Sequence, residues 1–259
     1  MSIKPIQDTG NVIWREMKHF SRSKAALFST IIQPLIWLIF IGNTFNFPGL
    51  TYVLDAPNYL TFFTPGVIAM TTLFTGIFGG VSIVWDKRFG YLNKMLAAPI
   101  SRTAIGTGKI ISVSFRTAIQ TTIIALVAIL VFGVNIQTGI LGLIVAILIA
   151  MLLSMAFAGI SMAIGASVKN MEAMMPVMTL LTMPLLFMSS AMFPTNFMPD
   201  WMATLTRFNP VTYAIDPIRA LFLNDWTQFF QLLPDLAVVA VFTITMIVMT
   251  TLLFRRSVA

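Results

Sequence analysis

The chain lacks cysteine, has a single histidine, and carries charge on only 10% of its 259 residues. Without cysteine it can form no disulfide, thiolate metal site or cysteine nucleophile. His19 has no second histidine or acid pair beside it, so we interpret it as an interfacial polar residue rather than a ligand or base. With 58% hydrophobic residues and a mean hydropathy of +0.89, the chain has too few polar residues to cover a globular surface. The composition predicts an integral membrane protein.

The apolar runs also lack the groups that membrane chemistry uses. None carries an acid pair or a histidine near its centre, which argues against catalysis. The runs are close to charge-free, with Arg116 a turn or two inside the third, and this argues against an ion-coupled carrier. The stretch 106–109 is no P-loop, because Thr103 and Ile110 stand where glycine and Ser or Thr are required. We expect no catalytic residue, metal or cofactor on this chain.

Six apolar runs of about 20 residues or more predict an all-α protein with six transmembrane helices. The runs, in a single transmembrane domain over 1–259, are 25–45, 60–84, 110–134, 140–168, 173–193 and 232–254. The first 24 residues are too polar for a cleavable signal peptide, so we expect the first run to remain as a span. Gly76 with Gly80 and Ser161 with Gly165 permit close helix approach, for which packing within the chain is the simplest use.

The basic residues lie at the ends of the apolar runs, which is typical of a bilayer protein and not of a nucleic-acid partner. With the N-terminus inside, the inner segments hold 14 of the 16 Lys and Arg residues. The outer segments hold only Arg207 and Arg219, whereas Asp55 and other acids lie there. The positive-inside rule therefore predicts a multi-pass protein of the cell membrane with both termini in the cytoplasm.

The N-terminal segment 1–24 has two faces at helical spacing. The basic residues on one face are Arg15, Lys18 and Arg22, and the apolar residues on the other are Ile13, Met17 and Phe20. This pattern predicts an amphipathic helix in the membrane interface. The alternative is an ordinary basic cap before the first span.

The longest charged interval, 85–109, lies between the second and third runs. Its basic residues are Lys87, Arg88, Lys94, Arg102 and Lys109, and its one acid is Asp86. Phe89, Leu92 and Leu96 recur at helical spacing and Pro99 ends the pattern, so we predict a short amphipathic helix on the membrane surface. Such a helix suits a soluble partner. The alternative is a positive loop that only fixes topology.

The interval 194–231, before the last run, is too apolar and aromatic for a solvated loop. It predicts two short helices, broken at Pro199 and Pro210, that dip into the outer leaflet and bury their backbone against the other spans. The alternative is an aromatic belt that anchors a plain loop at the outer interface.

Two motifs carry a resemblance to a known family. Asn209-Pro210-Val211-Thr212-Tyr213, followed by Arg219, resembles the N-P-x-x-Y-x(5)-R signature of the membrane subunits of ABC-2 type ABC transporters. The stretch from Asp86 to Leu92, leading to Leu96 and Arg102, is similar to the coupling region of that family. Many members place a glutamate near Leu92 or Asn93, and this chain does not. Length and layout are most similar to the drug-resistance branch.

The resemblance implies the membrane subunit of an ATP-driven exporter for a hydrophobic or amphipathic cargo, such as a drug-like molecule, a lipid or a lipid-linked glycan. A separate cytoplasmic ABC ATPase would bind ATP and Mg²⁺, and a second copy or a homologous permease would complete the pathway in the bilayer. An ATP-independent channel or secondary carrier is the alternative, and a scaffold without transport is a third possibility.

The resemblance also assigns roles to residues. The residues implied in ATPase coupling are Asp86, Lys87, Arg88, Gly90, Leu92, Lys94, Leu96 and Arg102. Those implied in the interface helix are Arg15, Lys18, Phe20 and Arg22. Those implied in the outer gate and re-entrant loop are Phe193, Asn209, Pro210, Tyr213 and Arg219.

Overall fold

The computed structural model describes residues 4–45, 49, 54, 56–98, 100–168 and 171–257. The expectations placed on Asp55, Pro99 and Lys169 lie outside these residues. All regular secondary structure in the described part of the chain is helical. Its elements are α1 (Lys4–Arg22), α2 (Lys24–Thr44), α3 (Tyr59–Gly80), α4 (Ser82–Arg88), α5 (Tyr91–Ala97), α6 (Arg102–Phe132), α7 (Gly139–Ser167), α8 (Met171–Phe187), a 3₁₀ turn (Thr195–Phe197), α9 (Asp200–Thr206), α10 (Pro210–Leu223), α11 (Trp226–Gln231) and α12 (Leu233–Ser257).

Side-chain caps set several of the helix starts. Asn58 accepts a hydrogen bond from the Thr61 amide at 2.7 Å, and Ser101 accepts one from the Ala104 amide at 3.2 Å. Such caps satisfy amides that have no partner within the helix. The cap at Ser101 starts α6 well before residue 110, so Arg102 and Lys109 belong to this long helix and not to a surface segment.

In the part of the chain that the structure describes, five helical stretches are long and apolar enough to cross a membrane. They are Leu27–Thr44, Tyr59–Arg88, Arg102–Phe132, Gly139–Gly165 and Leu233–Leu253, and they correspond to the first, second, third, fourth and sixth predicted runs. The fifth run forms α8, which has 17 residues and ends at Phe187 rather than near residue 193. The helix ends at a turn over 188–190, where the side-chain amide of Asn209 donates a hydrogen bond to the Met188 carbonyl at 2.7 Å.

Helix α3 is the centre of the bundle. It is buried along most of its length and packs against α2, α6, α7 and α10. A Cβ at Gly76 would lie 2.8 Å from the Phe157 Cβ, and one at Gly80 would lie 2.6 Å from the Ser161 Cβ. The hydroxyl of Ser161 also donates to the Ile77 carbonyl. Packing within the chain is therefore confirmed as the use of the Gly76 and Gly80 pair.

The interval before α12 holds short helices, and two of them begin at the predicted prolines. Helix α9 follows Pro199 and is largely exposed: Trp201 within it is 61% accessible, and Phe208, just after it, is 80% accessible. Helix α10 begins with Pro210 and has a buried face that packs against α3, α7 and α12. The apolar character of the interval thus has two sources, a buried helix and an exposed aromatic surface.

We expect Gly76→Ala to lower the midpoint of thermal unfolding in detergent, because its methyl group would overlap Phe157 and overpacking costs about 1–3 kcal/mol. Gly10→Ala is the matched control, because Gly10 lies in helix α1 and a Cβ there meets nothing within 4 Å. That control should unfold at the same or a higher temperature. Equal midpoints for Gly76→Ala and the parent chain would contradict the close packing of α3 and α7.

Candidate functional site

A buried ion network joins the N-terminal helix to the end of the second span. Lys109, on α6, is 3% exposed. Its Nζ lies 2.5 Å from Asp86 Oδ2 on α4 and 3.1 Å from Glu16 Oε1 on α1. It also donates to the Ser82 hydroxyl at 3.2 Å. One ammonium group thus connects three helices.

Two arginines extend the network on either side of Glu16. Arg116 Nη2, from α6, donates to Glu16 Oε2 at 3.0 Å, and its guanidinium lies 5.1 Å from the centre of the Phe20 ring. Arg15 Nη2 contacts both Glu16 Oε1 at 3.1 Å and Asp86 Oδ2 at 3.4 Å. Arg15 Nη1 also reaches the Met95 sulfur at 2.8 Å. We call Arg15, Glu16, Asp86, Lys109 and Arg116 the ion network.

The local sequence explains why α1 lies against α6. Val12, Glu16 and Phe20 follow at intervals of four residues and therefore share one face of the helix. All three are buried. Opposite them, Gly108 allows close approach, since a Cβ there would lie 2.8 Å from Val12. Lys109 is seven residues before Arg116, two helical turns along α6, so both cations face Glu16.

The electrostatics of Glu16 follow from this packing. Burial alone would raise the pKa of the Glu16 carboxyl, but the ammonium of Lys109 and the guanidinium groups of Arg116 and Arg15 outweigh it and lower that pKa below its usual value of 4.5. Glu16 is therefore ionised at neutral pH. A buried charge is tolerated only when it is paired and hydrogen-bonded in this way.

The structure separates the residues that resemble the coupling region into two groups. Arg88, Lys94 and Arg102 are exposed and Lys87 is half-buried. Leu92 is 3% exposed and Leu96 packs against the core, while Asp86 points into the ion network. Leu92 and Leu96 thus face inward because α5 packs them against the core, and Asp86 faces inward because it pairs with Lys109. The assignment of all eight residues to ATPase coupling stays a prediction, in which these three would act from inside the bundle.

Around the exposed group, aromatic and basic side chains form one surface. Trp85 and Phe89 stack at 5.6 Å between ring centres, Arg88 lies 5.9 Å from the Trp85 ring, and Lys94 lies 5.5 Å from the Tyr91 ring. The three aromatic residues are 42–62% exposed. We call Trp85, Arg88, Phe89, Tyr91 and Lys94 the aromatic-basic surface. The surface is not one continuous helix as predicted, because Gly90 takes a φ of 70° between α4 and α5.

The faces of α1 differ in part from the prediction. Arg15, Lys18 and Arg22 are exposed as expected. Phe20 is only 6% exposed and packs beneath Arg116 instead of facing lipid. Sequence reasoning did not find Glu16, although a lone acid on the Val12 and Phe20 face was the signal that could have revealed it.

At the other end of the bundle, the Asn209 motif closes a turn. The Asn209 side chain accepts from the Val211 amide at 3.0 Å and donates to the Leu185 and Met188 carbonyls, both at 2.7 Å. The Tyr213 hydroxyl donates to the Arg207 carbonyl at 2.6 Å. Pro210 begins α10, where a missing amide costs nothing. These contacts fasten the end of α8 to the start of α10.

Arg219 lies close to the same turn. Its Nη2 donates to the Ser190 carbonyl at 2.5 Å, and its guanidinium lies 4.0 Å from the centre of the Phe62 ring. Asp216 Oδ1 lies 3.4 Å from Arg219 Nη1 and accepts from the Ser190 hydroxyl at 2.8 Å. Phe193 packs edge-on against Phe45 at 5.4 Å. Arg219 and Phe193 thus connect the turn to the first two spans.

Within the described residues, no three His, Cys, Asp or Glu side chains are grouped as a metal site would require. The two clusters instead consist of ion pairs and backbone contacts. Such an arrangement can hold helices together and present a surface to a partner.

Comparison with known proteins gives a consistent result. A family model described as ABC-2 type transporter matches residues 7–223. A protein of Cyanophora paradoxa named as a transport permease, ycf38, is 30% identical over 85% of this chain and 76% of its own length. The daunorubicin resistance ABC transporter permease protein DrrB1 of Streptomyces coeruleorubidus is 25% identical over 81% of this chain and 72% of its own length. Nodulation protein J of Rhizobium leguminosarum bv. viciae is 23% identical over 94% of this chain and 93% of its own length.

We expect acid to destabilise the chain partly through Glu16. Because its folded-state pKa is lowered, its contribution is present above the unfolded value of 4.5 and is lost as pH falls through the folded-state pKa. Thermal unfolding in detergent at neutral pH should occur at a lower temperature for Glu16→Gln than for the parent. The parent should then lose more stability than Glu16→Gln when pH falls to about 3.5.

Glu172→Gln is the matched control, because Glu172 is exposed at the start of α8. It should follow the parent chain at every pH. If the unfolding temperatures of Glu16→Gln and Glu172→Gln coincide at every pH, Glu16 contributes nothing to the stability of the folded state.

Proposed function

We propose an export function for this chain, which belongs to the ABC-2 type transporter family and is therefore the membrane component of an ABC transporter. It is not the ATP-binding subunit. A cytoplasmic ABC ATPase, with its own ATP and Mg²⁺, would drive the transport of a hydrophobic or amphipathic molecule outward. The name of the Streptomyces relative, a daunorubicin resistance permease, supports a drug-like cargo.

The observation that carries the proposal is the aromatic-basic surface. Three large aromatic side chains stand exposed at one end of the bundle, and Arg88 and Lys94 lie beside their rings. Aromatic residues with arginine are typical of the centre of protein interfaces. We assign this surface to the docking of the ATPase, with Arg102 and Lys87 at its edge.

The ion network would carry the movement of the docked surface into the membrane. Arg15 on α1 contacts Asp86 on α4 and Met95 on α5. Lys109 on α6 pairs with Asp86 on α4 and with Glu16 on α1. Movement of α4 alone would strand a buried ion, at a cost of about 3–5 kcal/mol. We therefore propose that α1, α4, α5 and the first turns of α6 move as one unit, the coupling unit, when the ATPase closes.

The proposal includes a topology. Helix α8 spans about 26 Å at 1.5 Å per residue, which is close to the roughly 30 Å hydrocarbon core, so we propose it as a sixth crossing. The helices α9 and α10 then return into the outer leaflet. Both termini and the aromatic-basic surface lie in the cytoplasm, and the chain is one transmembrane domain of the cell membrane. A second copy or a homologous permease would enclose the pathway, with Asn209, Tyr213 and Arg219 fixing its outer end.

Capture of the ATPase tests the docking assignment. The tagged chain should retain an ABC ATPase, identified by mass spectrometry, after extraction from its native membrane in mild detergent. The double change Arg88→Glu and Lys94→Glu should reduce the retained ATPase at least about tenfold, because charged side chains at an interface centre are worth about 2 kcal/mol or more.

Arg207→Glu is the matched control, since Arg207 is also exposed but lies in the interval before α10. It should retain the ATPase in full. Loss with both variants, or with neither, would contradict the assignment. Cargo flux in liposomes without ATP would instead favour a channel or carrier.

Single cysteines test the topology against a cysteine-free background. We expect Asn196→Cys and Thr227→Cys to react with an impermeant maleimide in intact cells, and Lys18→Cys and Glu172→Cys to react only after permeabilisation. All four positions are exposed. Reaction of Glu172→Cys and Asn196→Cys from the same side would show that α8 does not cross the membrane.

A further inference from the structure

A cavity of about 490 Å³ lies between α1, α2, α3 and α6. Its volume is in the range of small-molecule sites. It adjoins the ion network through Arg116 and Phe20, and its other lining residues take part in none of the contacts described above. Its lining divides into an apolar wall and a polar end, and each would contact a different part of one ligand.

The apolar wall is mainly aromatic. Phe74 and Phe78, one turn apart on α3, stack with ring centres 6.2 Å apart and planes 14° apart. Trp37 from α2 and Phe20 from α1 complete this wall. Phe78 is 40% exposed, so the wall reaches the surface of the bundle. Such a wall suits an aromatic or acyl body.

The polar end lies on α6. Arg116 and Gln120 are four residues apart and share one face of the helix. The Thr75 hydroxyl bonds the Gln120 Oε1 at 2.5 Å, which leaves the amide nitrogen of Gln120 as a donor. Arg116 Nε is buried and has no hydrogen-bond partner among the described residues. The polar end of the cavity thus holds a guanidinium and an amide donor on adjacent turns of α6.

The charge of the surroundings favours an anion. The ion network contains three cations, Arg15, Lys109 and Arg116, against the two carboxylates Glu16 and Asp86. Among the described residues that line the cavity there is no acid, and Arg116 is the one cation. Arg116 also pairs with Glu16 Oε2 at 3.0 Å, so an acidic group in the cavity would share its guanidinium with Glu16 and offset the one excess positive charge of the network.

We infer that this cavity binds an amphipathic acid, with its apolar body against Phe74, Phe78 and Trp37 and its acidic group at Arg116 and Gln120. The inference names a class of cargo for the proposed exporter and rests on that function for the ligand's role in transport. Binding itself requires no ATPase, so the two can be tested apart.

The test uses the purified full chain in nanodiscs of zwitterionic lipid, with two fluorescent probes of equal length. One is a dansyl-labelled alkyl carboxylic acid and the other is the corresponding dansyl-labelled alkyl amine. We expect saturable binding of the acid, at least about tenfold tighter than that of the amine. Absence of saturable acid binding, or equal binding of acid and amine, overturns the inference.

Variants locate the two halves of the site. Gln120→Glu is nearly isosteric and sets a carboxylate beside Arg116, so it should abolish the preference for the acid while the thermal midpoint shows that the chain is folded. Phe78→Ala should weaken both probes to a similar extent, because it removes half of the stacked wall. Phe40→Ala, at a 66% exposed position outside the cavity, should change neither. An acid preference that survives Gln120→Glu places the ligand elsewhere and overturns the inference.

Transport separates this inference from the proposed function. In liposomes with the ATPase, the parent complex should export the acid probe in an ATP-dependent manner, and Gln120→Glu should not. Acid binding without ATP-driven export would refute the export role and leave the site intact. ATP-driven export that is unchanged in Gln120→Glu would refute the site and leave the exporter intact.

Discussion

The placement of Lys109 between Glu16 and Asp86 is the interaction on which one end of this bundle, where α1, α4 and α6 meet, depends. An ammonium group that is 3% exposed has no water to stabilise it, so its free energy rests on the two carboxylates. Those carboxylates belong to α1 and α4, which are far apart in the chain. Neither helix can leave α6 without uncovering a charge. The helix that precedes the first span and the surface that follows the second are thereby held in one frame.

The opposite end is fastened by backbone contacts instead. Where α8 ends and the chain turns towards α10, free carbonyls cannot be left in an apolar environment. The side-chain amide of Asn209 donates hydrogen bonds to two of them, at Leu185 and Met188, and the guanidinium of Arg219 donates one to the Ser190 carbonyl. The Asn209 motif thus provides hydrogen-bond donors for backbone carbonyls, whereas the ion network pairs buried charges. Under the export function proposed above, the spans between these two fastened ends would tilt.

The sequence alone predicts five of the spans and the short helices, because length, hydropathy and proline positions are local properties. It also carries the family, through the Asn209 motif and the stretch after Asp86. It cannot show that Asp86 and Leu92 face inward, since both depend on the packing of α4 and α5 against the bundle. The pairing of Glu16 with Lys109 joins residues 93 positions apart and is equally hidden. So is the early end of α8, which Asn209 imposes from across the fold.

Spin-label distances within the permease and ATPase complex test the coupling unit most directly. Labels at Lys18 on α1 and Asn93 on α5 report on the unit itself, and a second pair at Asn93 and Thr227 reports on its position relative to the opposite end of the bundle. If the unit is rigid, the first distance stays constant between the ATP-free and ATP-trapped states while the second changes. A first distance that changes as much as the second would contradict the account, because α1 would then move independently of the docking surface.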